Sequence, residues 1–270
     1  MAGLRLSRPG MSLDLEAEYN NRARVPEHAA IIVGWAAESK AYRNLNPPRV
    51  IAYGPGERHT LDLFDAGPGP AVMFIHGGYW QALDKSFFSH MARGLNALGV
   101  SVAVPSYDLC PDVRIGDIVE QMRASCSIVH RASDAPVIVA GHSAGGHLAA
   151  CLLATEGHVP AAYAISGLFE LKPLIATSIN EKLKLDAAEA DALSPLLWPA
   201  PEGKVLDAIV GGDESGEYHR QSKAIVEAWG EAGVEARGES IAGANHFTVI
   251  APLADPQSAM CERLRTLVRR

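Results

Sequence analysis

Cysteine is scarce and unpatterned in this chain. Cys110, Cys126, Cys151 and Cys261 are scattered through 270 residues, without a CxxC pair or the spacing of a metal-ligand set. Buried free thiols in a reducing compartment are expected, and a disulfide framework is not. Blocks of lysine or arginine are also missing, and the formal net charge is -7. Nucleic-acid and anionic-membrane surfaces need clustered cations, so neither is an expected partner. The N-terminal stretch MAGLRLSRPGMSLDLE carries two arginines with no apolar run behind them. It reads as neither a secretory signal nor a membrane span, which makes the cytoplasm the expected location. Met11 is a candidate alternative start, leaving the first ten residues as a loose extension. There is no Ser/Gly-rich linker and no internal repeat, so residues 1–270 read as one domain.

What is present suits a sizeable core: 48% hydrophobic residues and 20% charged ones. Leu13 to Arg43 has helix-favouring composition and stops before Asn46-Pro47-Pro48. Two short strand-like runs follow, Arg49 to Tyr53 and His59 to Phe64, with Gly54-Pro55-Gly56 as the turn between them. From Ala71 the pattern becomes strand, helix, strand. Ala71–Ile75, Val100–Val104, Pro136–Ala140, Ala161–Ile165, Val205–Val210 and Val234–Ser240 are the strand candidates. Between them Phe88, Met91, Leu95 and Leu98, and then Val119, Met122, Cys126 and Val129, recur at helical spacing. A helix is expected around Ser222 to Trp229, and Met260, Leu264 and Leu267 mark a closing one. This alternation predicts an α/β fold with a mostly parallel twisted sheet and helices on both faces. Leu168 to Lys204 breaks it, reading as a small helical insertion over the sheet's C-terminal edge, a partial lid.

Gly141-His142-Ser143-Ala144-Gly145 lies directly between a strand candidate and a helical run. A GxSxG string alone is weak, but a nucleophile elbow needs that strand-to-helix context, and here it is present. His76-Gly77-Gly78-Tyr79-Trp80 follows the buried strand run, where the fold's loop supplies backbone N–H donors to an oxyanion. Gly77 and Gly78, with Ala144 after the serine, are the oxyanion-hole candidates. The acid and base should follow in the order Ser, Asp, His. Asp213, just past the strand candidate Val205 to Val210, is the expected acid, with its neighbour Glu214 as the alternative. His246, in Gly243-Ala244-Asn245-His246-Phe247, is the expected base. Asp207 falls inside the strand, and Asp186 and Asp191 in the insertion. His147 is expected to be structural, while His130, His158 and His219 read as surface or helix-end residues. No metal or other cofactor is expected. Tyr79 and Trp80 are candidates to border a flat substrate group, the alternative being that they pack against the helix candidate Lys85 to Leu98.

His76-Gly77-Gly78-Tyr79-Trp80-Gln81, Ser106-Tyr107-Asp108-Leu109 with Pro111, Gly141 through Ala150, and Ser166 through Leu171 with Pro173-Leu174 together resemble the serine-dependent kynurenine formamidases, or arylformamidases. The resemblance runs over roughly residues 70 to 250. It implies an α/β-hydrolase fold without cofactor that hydrolyses N-formylkynurenine, an aryl formamide, to kynurenine and formate. By match, Ser143, Asp213 and His246 take the triad roles and the loop at His76 the oxyanion role. The rival within the same chemistry is a carboxylesterase for small acyl or aryl esters. From another class, the rival is an inactive hydrolase that binds a small molecule, against which the complete triad argues. The expected partner is a small-molecule substrate, with a homodimer as the one assembly left open.

Overall fold

The computed structural model describes residues 13–270. Met11, the candidate alternative start, lies outside them. Helices α1 (Leu15–Tyr19), α2 (Asn21–Arg24) and α3 (His28–Leu45) come first, then strands β1 (Arg49–Ala52), β2 (Thr60–Phe64) and β3 (Ala71–Ile75). After these, α4 (Arg93–Ala97), β4 (Ser101–Pro105), α5 (Ile115–Ser133), β5 (Val137–His142), α6 (Ala144–Thr155) and β6 (Ala161–Ile165) alternate. Short helices α7 (Asn180–Leu183) and α8 (Ala187–Ala192) precede β7 (Val205–Gly211), α9 (Gly216–Glu231), β8 (Glu235–Ile241) and α10 (Ala259–Val268).

The eight strands form one sheet in the order β1-β2-β4-β3-β5-β6-β7-β8. β1 and β2 pair antiparallel, as do β2 and β4, while every pair from β4 to β8 is parallel. The expected α/β architecture and its opening hairpin are therefore present. Side chains alternate across the central strands as the pleat requires. Met73, Ile75 and Val139 face a core filled by α5, α6 and α9, and Val72, Phe74 and Ile138 face one filled by α3, α4 and α10.

Two helical expectations change. The run Leu13–Arg43 is three helices, because Asp14 and Asn20 each cap a new N-terminus with a side-chain oxygen. The run through Phe88 and Leu98 is two 3₁₀ turns, Lys85–Phe87 and Ser89–Ala92, before the five-residue α4. Its apolar spacing survives in that tighter form, since Phe88, Met91 and Leu95 are all buried. The segment between β6 and β7 is a chain of short helical turns. No helix among the described residues is long and apolar enough to cross a membrane.

The strand order reverses between β3 and β5: β4 follows β3 in sequence but lies on its other side. Loops leaving the carboxyl ends of β3 and β5 therefore part to opposite faces and leave a crevice, the usual place for a ligand in an open parallel sheet.

Candidate active site

Ser143 stands at that crevice, in the tight turn between β5 and α6, with φ +58° and ψ -118°. This backbone is uncommon for a residue with a side chain. It is held by Ser143 N–H donating to Ile165 O at 2.8 Å, and by Ser143 O accepting from Gly146 and His147 N–H at 2.9 and 3.1 Å. The strand and helix approach so closely that a β-carbon on Gly145 would overlap the Ile75 carbonyl. The glycines of the GxSxG string are required by this contact.

The loop after β3 comes up beside the serine. A β-carbon on Gly77 would lie 2.9 Å from His142 O and 3.0 Å from Ser143 Cβ, so only glycine brings the backbone this near. Gly78 has φ +110°, a conformation that glycine adopts without steric cost. Ala144 opens α6, so its N–H has no acceptor within the helix. His76 fixes the loop from beneath. Its Nδ1–H donates to Gly77 O at 2.7 Å, and its ring is sandwiched between Tyr107 and Phe88 at centroid distances of 4.2 and 5.5 Å. Burial lowers its pKa to about 4, which keeps the ring neutral.

His246 lines the same cavity as Ser143 and is buried. Its Nδ1–H donates to Glu214 Oε2 at 2.6 Å. The other oxygen of Glu214 accepts from Ser166 Oγ at 2.5 Å and from Gly211 N–H at 2.7 Å. Both carboxylate oxygens are thus engaged by donors. Here the sequence expectation is corrected: Glu214, and not Asp213, faces the imidazole. The cause is the turn leaving β7. Glu214 N–H bonds back to Gly211 O at 3.1 Å, which folds the fourth residue of Gly211-Gly212-Asp213-Glu214 under the strand end and leaves Asp213 exposed. Asp207, set aside in the sequence, is buried and paired with Arg263 at 2.6 Å.

His142 and Ser166 carried no signal of their own in the sequence. His142 Nε2–H donates to His246 O at 2.8 Å, and burial pushes its pKa well below that of a free histidine, so a neutral ring pins the backbone of the candidate base. Their positions, inside the GxSxG string and at the C-terminal end of β6, are the one cue that could have found them.

Tyr79 lines the cavity as expected. Its hydroxyl donates to Tyr19 O at 2.6 Å and meets Tyr218 Oη at 2.7 Å, which also accepts from Asn21 Nδ2 at 2.8 Å. The Tyr218 ring lies 4.8 Å from that of His246. Burial raises the Tyr218 hydroxyl above its usual range, while hydrogen bonding with Tyr79, Asn21 and Ser143 pulls it back. Trp80 is the second correction. It is fully buried, does not line the cavity, and packs its ring edge-on against His147 at 5.0 Å. The positive φ of Tyr79 and Trp80, +51° and +55°, turns Trp80 away from the crevice and into the core beneath α6.

The cavity holds about 320 Å³, within the range of small-molecule sites. The described residues contain no cluster of three or more His, Cys, Asp or Glu that could hold a metal.

A nucleophile elbow at the switch point of this sheet defines an α/β hydrolase. The family model for the alpha/beta hydrolase fold matches residues 72–200. The chain is 30% identical to kynurenine formamidase of Danio rerio over 81% of its own length and 80% of that protein's, and 31% identical to that of Salmo salar over 76% of each. A crystal structure from Silicibacter sp., provisionally assigned as a thioesterase, is 36% identical and superimposes with a TM-score of 0.85, covering 96% of this chain and all of that one. The chain belongs to the kynurenine formamidase family and is a hydrolase.

Proposed function

We propose that this chain hydrolyses an aryl formamide, such as N-formylkynurenine, to the aryl amine and formate. The observation that carries the reading is one cavity lined by Ser143, His246 and the Gly77-Gly78 backbone, with Glu214 bonded to the far side of the imidazole. In this mechanism Ser143 Oγ attacks the formyl carbon and its proton passes to His246 Nε2, while Glu214 holds the Nδ1–H tautomer. Negative charge on the formyl oxygen is met by N–H groups of the Gly77-Gly78 loop and of Ala144, each such donor contributing about 2.7–4 kcal/mol to the transition state. The imidazolium then protonates the departing aniline nitrogen as the C–N bond breaks. Water, deprotonated by the same histidine, releases formate from the formyl-serine.

The fish relatives support the formamide as substrate; the Silicibacter relative favours the second reading, an ester-cleaving enzyme using the same groups. We place the chain in the cytoplasm, a location that its four free, buried cysteines support. The test is stoichiometric release of kynurenine and formate from N-formylkynurenine by the wild type, lost in Ser143→Ala. A wild type without turnover would reject the formamide reading.

A further inference from the structure

Behind the serine and the candidate base lies a buried set of hydroxyls that the triad does not use. Tyr218, in the first turn of α9, is fully buried, with its ring 4.8 Å from that of His246. Its oxygen meets Tyr79 Oη at 2.7 Å and accepts from Asn21 Nδ2 at 2.8 Å. Tyr79 Oη lies in turn 2.6 Å from Tyr19 O. Tyr19 is anchored to the same helix as Tyr218, since its hydroxyl donates to Glu217 Oε2 at 2.7 Å and accepts from Gln221 Nε2 at 2.6 Å. Hydrogen bonding with the Ser143 side chain also acts on the Tyr218 phenol. Each phenol carries one proton, and a carbonyl can only accept. Two arrangements satisfy the chain. In the first, Tyr218 donates to Tyr79 and Tyr79 donates to Tyr19 O. In the second, both hydroxyls turn: Tyr79 donates to Tyr218, whose oxygen is then filled by Tyr79 and Asn21, and the Tyr218 proton is left for Ser143 Oγ.

We propose that Tyr218 is a further catalytic donor, whose hydroxyl turns from Tyr79 to Ser143 Oγ when that oxygen gains negative charge. Charge gathers there twice: as Oγ loses its proton to His246 during attack, and as Oγ leaves the acyl group during deacylation. Both phenol protons stay on their own oxygens throughout, so the change is a rotation of two hydroxyls. The first arrangement suits a neutral serine, whose own proton goes to His246. The second leaves Tyr19 O without its partner. A bond to a charged oxygen outweighs that loss, because such bonds are about twice as strong as neutral ones. Burial raises the pKa of the Tyr218 phenol, so the donor keeps its proton at neutral pH. This inference rests on the reading of Ser143 as nucleophile and does not depend on which acyl group is cleaved. It adds to the Gly77-Gly78 and Ala144 donors, which serve the acyl oxygen and not the serine.

The experiment measures the second-order rate at which a small alkyl fluorophosphonate labels Ser143. An Oγ–P bond forms, fluoride leaves, the serine proton passes to His246, and no formamide is involved. Tyr218→Phe should slow labelling by at least about tenfold, the weight of one hydrogen bond to a charged oxygen. A 3-fluorotyrosine at position 218 keeps the ring and its hydroxyl but makes the O–H a stronger donor, and that protein should label faster than the wild type. A purely structural role for the ring would leave its rate unchanged. Equal rates in the wild type and Tyr218→Phe would overturn the donor. So would a fluorotyrosine protein no faster than the wild type, a result that holds even if the phenylalanine variant does not fold. A wild type that is not labelled would overturn the donor together with the nucleophile on which it rests. The expected order of rates in a protein without formamide turnover would uphold the donor and reject only the formamidase reading.

Discussion

Glu214 Oε2 lies 2.6 Å from His246 Nδ1, and its partner oxygen is engaged by Ser166 and Gly211. Replacing this carboxylate by an amide allows the imidazole to adopt the tautomer that cannot take the serine proton. Glu214→Gln should therefore reduce kcat near neutral pH by about 10⁴-fold, the loss that follows when a triad acid becomes an amide. Asp213→Asn, at an exposed position, should leave kcat within about twofold. Steady-state kinetics on one good substrate decide between them, and the opposite ranking would restore Asp213.

Stability should fall in acid through the buried histidines. Burial lowers His76, His90 and His147 to about 4, whereas a histidine in the unfolded chain titrates near 6.5. Between these values the unfolded state binds protons that the native state refuses. The stabilisation is complete above about pH 6.5 and is lost progressively as the pH falls toward about 4. Urea unfolding at a series of pH values should show this slope. A flat profile between pH 6.5 and 4.5 would mean that these rings are protonated in the fold.

Trp80→Ala should act on stability and not on substrate choice. The side chain is fully buried against His147, so its removal should cost about 3–5 kcal/mol. Aryl and alkyl substrates should lose activity equally, measured where the variant remains folded. A selective loss on aryl substrates would return Trp80 to the substrate site.

Much of this arrangement was legible in the sequence. Ala71–Ile75 matches its strand residue for residue, because a parallel strand buried on both faces leaves an uninterrupted apolar run. Ser143 and Gly77 were legible because close backbone contact restricts Gly77, Gly141 and Gly145 to glycine, and the last two frame the serine in a fixed order. The acid was not legible to the residue. Asp213 and Glu214 are both carboxylates after a strand, and the choice depends on a hydrogen bond from Glu214 N–H to Gly211 O that composition does not express. Trp80 was ambiguous for a similar reason, since its direction is set by the positive φ of two non-glycine residues. The role of Tyr19 and Asn21 lay out of reach, because their partners Glu217 and Tyr218 are nearly 200 residues away in the chain.

The defining property expected of the serine site is acceptance of a formyl group on an aryl nitrogen. It is tested most directly by kcat/KM for an N-formyl anilide against its N-acetyl counterpart, with a p-nitrophenyl butyrate as the ester reference. A pocket fitted to a formyl hydrogen should lose at least about tenfold on the acetyl compound, the scale set by one extra methyl group in a close-fitting site. Equal rates on the two anilides, or fast butyrate cleavage with no formamide turnover, would show that the site is not fitted to a formyl group.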